Sequence, residues 1–434
     1  MSFLENQLIK PLPVLIKKYF RENNNVDSWE KSQIKEYQKE ALTYVINHAF
    51  ENNPFYRQKY KGLPDSPENI PFEELPFLDR EEIMNNPWIL LSTPKNEISQ
   101  VHISTGSSGQ GTIYIDYSWD DLYVRGFGPS MRKLVPVGIE DVIINALPYE
   151  LSSAGLAFHR VFQKACGACV IPAGKGGAYS KPEKTVQIIQ ETHPTILITT
   201  PSYAVYLKET ADSQKISLKE NLFRFIWLTG EGCSPSFRKR VEGLWGCPAY
   251  FYYGSLEAGP IGIECPIQNG YHIAMGHIYL EIIDQKTERP LPPGETGEII
   301  VTELIKESTH LVRYRTGDIG FIDDSECPCG ISLPRLYLRG RKEDQIMVGG
   351  EIISPFFIEE ILMQIDEVGY WYQICPQKNE LLLRIELKKD FSPDNGIKEK
   401  IQSYLEYFMS CPVKVEFSHN LPRSGGKIAR VIWS

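Results

Sequence analysis

The chain lacks the features that would place it in a membrane, outside the cell or on nucleic acid. It has no run of about 18 apolar residues, the length that a helix needs to cross a bilayer. Its opening stretch, MSFLENQLIKPLPVLIKKYF, has no basic start followed by an apolar segment and a small-residue cleavage site, so no secretory leader is expected. There is no excess of positive charge: 46 Lys and Arg face 55 Asp and Glu, a net charge of -9. A nucleic-acid partner, which leaves a basic footprint, is not expected. The 9 cysteines are odd in number and scattered, which argues against a disulfide scaffold and for reduced thiols in the cytoplasm, some of them on a metal. There is no internal repeat and no low-complexity tract. A Walker A loop is also missing. Gly106 and Gly111 have its spacing, but Thr112 stands where the lysine belongs.

What is present is an ordinary globular balance, 42% hydrophobic and 23% charged over 434 residues, enough for two or three domains. Between Asp27 and Phe50, apolar residues at 34, 37, 42, 45, 46, 49 and 50 predict a helix, ended by Asn52-Asn53-Pro54. Beyond residue 100, short apolar runs alternate with amphipathic stretches. The runs at 141–146, 168–173, 195–200, 223–229 and 249–253 read as buried strands in βαβ units with parallel sheet. Pro292-Pro-Gly-Glu295 predicts a turn between strands at 279–283 and 298–302. Near residue 340 the segment Arg339-Gly-Arg-Lys-Glu-Asp344 breaks the pattern. Helices at 355–364 and 394–408 and a strand at 381–387 follow it. The expectation is an α/β chain with β-sheets flanked by helices in a large domain, 1–342, and a small mobile α+β domain, 343–434. Cys166-Gly-Ala-Cys169 has no matching second pair and reads as core.

The most informative stretch is Ser104-Thr105-Gly106-Ser107-Ser108-Gly109-Gln110-Gly111-Thr112. Glycines let a backbone approach a ligand closely, and hydroxyls with free N–H groups cradle phosphate oxygens. It has company. Tyr253-Gly254-Ser255-Leu256-Glu257, Arg313-Tyr-Arg-Thr-Gly-Asp318, Gly340-Arg341 and Pro422-Arg-Ser-Gly-Gly-Lys427 follow in order. Together they resemble the motifs of the adenylate-forming superfamily of acyl-CoA synthetases, adenylation domains and luciferases. Pro54-Phe-Tyr56, Gly259-Pro260, Glu264-Cys265, Gly270-Tyr-His272 and Cys327-Pro-Cys-Gly330 are similar to its phenylacetate–CoA ligase branch. The resemblance runs from about residue 50 to the end.

That resemblance implies ATP-dependent activation of a carboxylic acid, an aryl acid such as a phenylacetate-like one. An acyl-adenylate forms, and coenzyme A then takes the acyl group to give acyl-CoA, AMP and pyrophosphate. It implies that residues 104–109 hold the pyrophosphate end and that Gly230-Glu231 line the adenine side. Tyr252 or Tyr253 would stack on the base, with a core role equally open for Tyr252. Asp318 would take the ribose hydroxyls, Arg341 would assist at the ribose or phosphate, Glu257 would hold Mg²⁺, and Lys427 would serve adenylation. Glu343 would be the hinge about which the C-terminal domain swings, and a homodimer would be the assembly. The chain departs from the pattern in three places. Leu256 replaces a hydroxyl residue, with Ser255 one place earlier. Gln110 replaces a common lysine of the loop. Glu351-Ile352 alters the region shaping thioesterification. Transfer to an amine or a carrier-protein thiol therefore stays open, as does a non-catalytic nucleotide-binding protein.

Cys265, His272, Cys327 and Cys329 form a separate set. Three thiolates and an imidazole make a tetrahedral zinc ligand list with no open position, hence a structural Zn²⁺. The resemblance includes relatives that bind zinc in this way. His277 and His310 are spare candidates.

Overall fold

The computed structural model describes residues 14–21, 24–104, 111–123, 127–151, 154–218, 222–423 and 430–433. They fall into two compact units. One comprises Met1–Glu140, Pro148–Cys169 and Tyr250–Leu338, the other Asp141–Leu147, Val170–Ala249 and Arg339–Ser434.

In the first unit, the helix Lys31–Asn52 buries Ile34, Tyr37, Val45, Ile46 and Ala49 of the predicted stripe, with Ala41 added and Leu42 and Phe50 only half-buried. It starts later than the periodicity suggests. Val26–Ser28 is a 3₁₀ turn instead, because the Asp27 carboxylate accepts the N–H groups of Lys133 and Leu134 at 2.7 and 3.0 Å. At the far end Asn53 caps the next helix, Pro54–Lys59, by accepting the Phe55 N–H. Strands Ile98–Ile103 and Tyr114–Ser118 pair antiparallel on either side of the Gly/Ser loop. Further strands neighbour one another in the order Ile278–Ile283, Gly297–Glu303, Tyr314–Asp323, Arg335–Arg341, Tyr271–Ile273, Gly259–Glu264 and Ala249–Ser255. The predicted turn at 292–295 is there, with Gly294 at φ +92°.

In the second unit, Val142–Asn145, Ile196–Thr199 and Phe225–Leu228 run parallel, and Cys169–Pro172 flanks the first. The second and third of these strands are buried at every residue, which is why they read as unbroken apolar runs. Helices Pro182–Thr192, Pro201–Ser213 and Pro235–Trp245 each begin on proline, and Thr200 and Ser234 cap the last two through their hydroxyls. The C-terminal part is a three-stranded sheet, Val368–Pro376, Leu381–Leu387 and Val413–Phe417, with helices Pro355–Leu362 and Asn395–Phe408. It docks within this unit through charge. Glu359 accepts the Ser234 N–H at 2.7 Å and Glu360 the Ser236 N–H at 2.9 Å, at the N-cap and in the first turn of Pro235–Trp245. The Arg240 guanidinium donates to the carbonyls of Met363, Ile365 and Val368.

The α/β class and the small α+β C-terminal region stand as expected. The Cys166–Cys169 reading does not. Cys169 is exposed and Cys166 half-buried, because Gly167 turns the chain at φ +73° into a strand that ends the sheet order. Among the described residues no helix is long and apolar enough to cross a membrane.

Candidate functional site

Within the first unit, the strand Ala249–Ser255 pairs antiparallel with Gly259–Glu264, and Glu257 sits in the turn between them. Gly254 is there for space, since a Cβ would come within 2.5 Å of the Gly259 carbonyl oxygen. The Ser255 hydroxyl accepts the Ala258 N–H at 3.0 Å and so closes the turn. Glu257 is 8% exposed, and its Oε1 lies 3.1 Å from Nη1 of Arg80, a residue that no motif marks.

Two of the expected nucleotide residues meet directly. The Tyr253 hydroxyl donates to Asp318 Oδ2 at 2.5 Å. Asp318 follows Gly317, which turns at φ +74°, and its own N–H donates to the Thr316 hydroxyl at 3.0 Å. The Thr316 hydroxyl in turn donates to the Ile299 carbonyl, so the turn is anchored to the buried strand Gly297–Glu303. Tyr252, one residue before, packs edge-on to Phe158 with ring centroids 4.8 Å apart, and burial raises its hydroxyl above the usual tyrosine range.

The neck of the Gly/Ser loop is described although its tip is not. Ser104 bonds Ile113 twice, through its N–H to the Ile113 carbonyl at 2.9 Å and through its hydroxyl from the Ile113 N–H at 2.8 Å. Asn85 grips the other side. Its N–H donates to the Thr112 carbonyl at 2.7 Å and its Oδ1 accepts the Thr112 N–H at 2.8 Å. Thr105, Gly106, Ser107, Ser108 and Gly109 lie outside the described residues, as does Lys427.

The second unit carries the remaining expected residues. Gly230 turns at φ +79°, which presents Glu231. The Glu231 carboxylate lies 2.9 Å from Lys175 Nζ and accepts the Ser202 N–H at 3.3 Å. Burial acts to raise Glu231, but Lys175 and the Ser202 N–H outweigh it and hold the carboxyl below its usual range. Lys175 stands between Gly174 and Gly176, both at positive φ. No sequence motif pointed to it, although a lysine between two glycines is a visible sign of backbone built around one side chain. Arg341 ends the strand Arg335–Arg341 with an exposed side chain, and its carbonyl accepts from Gln345. Glu343 is exposed in the turn that follows.

A third cluster lies in the first unit. One donor atom from each of Cys265, His272, Cys327 and Cys329 falls within 4.8 Å of the others. Strand pairing explains the gathering. His272 lies opposite Ile263 on one side and Arg335 on the other, so Cys265 and the 327–329 loop converge on it. Sγ atoms of Cys265 and Cys327 are 3.8 Å apart, and Cys329 Sγ is 3.3 Å from His272 Nε2. His272 Nδ1 lies 2.8 Å from the Leu333 carbonyl, which aims Nε2 at the thiols. This donor set is what a tetrahedral thiophilic ion takes. His277 and His310 are not among these four donors, and His310 instead faces His48 at 2.7 Å.

The model of the AMP-binding enzyme family matches residues 124–303, and that of the AMP-binding enzyme C-terminal domain matches 350–433. A phenylacetate–coenzyme A ligase of Thermus thermophilus is 30% identical over 94% of this chain and 98% of its own length. Its counterpart in Escherichia coli is 27% identical over 94% and 97%. Among solved structures, a 2-hydroxyisobutyryl-CoA ligase in the postadenylation state superposes with a TM-score of 0.85 at 22% identity, covering 98% of this chain and 94% of that one.

Proposed function

We propose the following roles for a chain that belongs to the AMP-binding enzymes, in their phenylacetate–coenzyme A ligase family, and is an AMP-forming acid–CoA ligase. In the first half-reaction a carboxylate oxygen attacks the α-phosphorus of ATP, and pyrophosphate leaves. In the second the coenzyme A thiol attacks the acyl carbon, and AMP leaves. The acid is an aryl acid of the phenylacetate type, the substrate in the names of the relatives.

The reading rests above all on the hydrogen bond between Tyr253 and Asp318. It fixes a carboxylate on a glycine turn where it can accept from both ribose hydroxyls. Glu257 holds Mg²⁺ on the triphosphate, a task for one or two carboxylates. Ser104, Thr105, Gly106, Ser107, Ser108 and Gly109 cradle the phosphates. Gly230 and Glu231 line the adenine side, Tyr252 or Tyr253 stacks on the base, Gly254 and Ser255 contact the nucleotide, and Arg341 assists at the ribose or phosphate. Lys427 brings a cation to the acid and the α-phosphate, where charge builds in the transition state. Residues 343–434 act as the lid domain on residues 1–342, with Glu343 as the hinge. Cys265, His272, Cys327 and Cys329 hold a structural Zn²⁺ that supplies rigidity and no catalytic step. The protein works in the cytoplasm as a homodimer.

Acid-dependent ATP–pyrophosphate exchange over a panel of acids, with and without coenzyme A, tests this. Lys427→Ala should lower exchange by about 100-fold or more, the loss seen when one preorganised donor to the transition state is removed. Exchange that is untouched in Lys427→Ala would sink the role of that lysine. Exchange without thioester formation would give the acyl group to an amine or a carrier thiol instead.

A further inference from the structure

The segment from Leu78 to Asn85 lies outside the motifs above and upstream of the matched family region. The fold nonetheless ties it to three parts of the site in the first unit. Leu78 donates its N–H to the Arg313 carbonyl and accepts the Arg315 N–H, both at 3.0 Å. It thereby pairs alongside the start of Tyr314–Asp323, the strand bearing Asp318. Asp79 and Glu82 then form a capping box on the short helix Arg80–Ile83, which fixes the direction in which Arg80 leaves the chain. The Arg80 guanidinium reaches Glu257 at 3.1 Å, where the glutamate side chain is only 10% exposed. Asn85, at φ +56°, grips Thr112 by its two hydrogen bonds. Gly111 turns here at φ +82°, and a Cβ there would lie 2.5 Å from the Asn85 amide nitrogen.

One short stretch therefore sets the spacing between the glutamate, the strand of Asp318 and the neck of the phosphate loop. The loop itself, Ser104–Thr112, contains no lysine or arginine. An ATP triphosphate seated there needs fixed positive charge from elsewhere. A guanidinium offers a planar fork that matches two phosphate oxygens at once. A carboxylate that takes up a divalent cation has less to offer a guanidinium, so Mg²⁺ arriving at Glu257 would free Arg80 for the phosphates.

We infer that Arg80 is a substrate-binding residue for the β- and γ-phosphates of MgATP, exchanging its resting partner Glu257 for them when the cation binds. The inference rests on the reading of Glu257 as the magnesium ligand. Arg80 supplies the charge that Gln110 does not.

Equilibrium binding of MgATP and of AMP to wild type, Arg80→Ala and Arg80→Lys tests it, beside magnesium titrations of pyrophosphate exchange. Arg80→Ala should weaken MgATP binding by about 10-fold or more, the loss of a charge-assisted pair. AMP, which lacks the β- and γ-phosphates, should bind within about twofold of wild type, and Arg80→Lys should retain part of the MgATP affinity. Equal weakening of AMP and MgATP would overturn the proposal and make Arg80 a brace for the Asp318 strand. Unchanged MgATP binding with a lower magnesium requirement would overturn it too, leaving Arg80 as the resting partner of Glu257 only. Where the alanine variant does not fold, the lysine variant carries the same comparison of MgATP with AMP. Glu257→Gln is the separate check on the premise. An unaltered magnesium requirement there would remove Glu257 from the metal and leave the MgATP-against-AMP comparison for Arg80 to be judged by itself.

Discussion

Arg313 opens the Arg-Tyr-Arg-Thr-Gly-Asp motif, and replacing it with methionine should damage stability far more than the position of a nucleotide-site motif suggests. It is 1% exposed. Its guanidinium holds Glu281 with two bonds, at 3.0 and 3.1 Å, and donates to the carbonyls of Glu73 and Leu75 at 2.6 Å each. The ring of Phe77 covers it at 4.1 Å. Methionine fills much of the volume but leaves a buried carboxylate and two carbonyls without their donor. Breaking a buried pair from one side costs about 3–5 kcal/mol. Burial already raises Glu281 against the pull of Arg313, and without the arginine it should rise further. A carboxyl raised in the folded state binds more protons there than in the unfolded chain. The variant should therefore gain stability, relative to wild type, as pH falls from neutral towards the usual carboxylate range. Urea unfolding of wild type, Arg313→Met and Arg313→Met/Glu281→Met at about pH 7 and pH 5 reads all of this. The double variant should recover more than half of the loss, because no charge is left buried. A single variant within about 1 kcal/mol of wild type, or a double variant as unstable as the single, would refute the reasoning.

His102 is 3% exposed, and burial, with Arg160 and Lys306 nearby, lowers its imidazole to about 3. The unfolded chain takes up that proton below the ordinary value of 6.5, so stability present above it drains as pH falls. At pH 5 the loss is about 2 kcal/mol, and His102→Leu should remove that part of the acid destabilisation in urea titrations at pH 7 and 5; equal pH slopes for the two proteins would count against it. Zinc should be stoichiometric in the purified protein by plasma emission spectrometry and lost in Cys327→Ser, and a metal-free, well-folded preparation would end the assignment. Lys175→Met should leave the half-buried Glu231 without its cation and cost about 2 kcal/mol or more in urea unfolding, with a loss under about 0.5 kcal/mol as the contrary result.

The elements that could be read from the chain are those whose signal is local. Continuous burial made Ile196–Thr199 and Phe225–Leu228 visible as apolar runs, and the predicted strand at 381–387 is the observed Leu381–Leu387. Boundaries moved where a distant partner intervened, as when Lys133 and Leu134 took the Asp27 carboxylate and delayed the first long helix. The four metal-ligand candidates could be named from residue type, but their convergence depends on His272 pairing with both Ile263 and Arg335. Arg80, Asn85 and Lys175 were not legible, since each acts on a residue tens of positions away: Glu257, Thr112 and Glu231. No periodicity or motif encodes such a contact.

The motif from Arg313 to Asp318 shows why a match in sequence is not yet an assignment of roles. Its two ends stand on one strand entry and do different things. Arg313 faces inward, neutralises Glu281 and lends its carbonyl to Leu78. Asp318 lies past the Gly317 turn, half-exposed, with Tyr253 on its carboxylate. The buried end sets where the exposed end stands, because the same backbone that seats Arg313 also pairs with Leu78 and so positions Arg80. Changes at Arg313 and at Asp318 should separate accordingly. Asp318→Asn should weaken AMP and MgATP alike with little effect on unfolding, since both ligands carry the ribose. Arg313→Met should move unfolding first and ligand binding only through it. If Asp318→Asn were to unfold the protein as readily as Arg313→Met, the motif would be one structural unit, and the ribose role of Asp318 would lose its support.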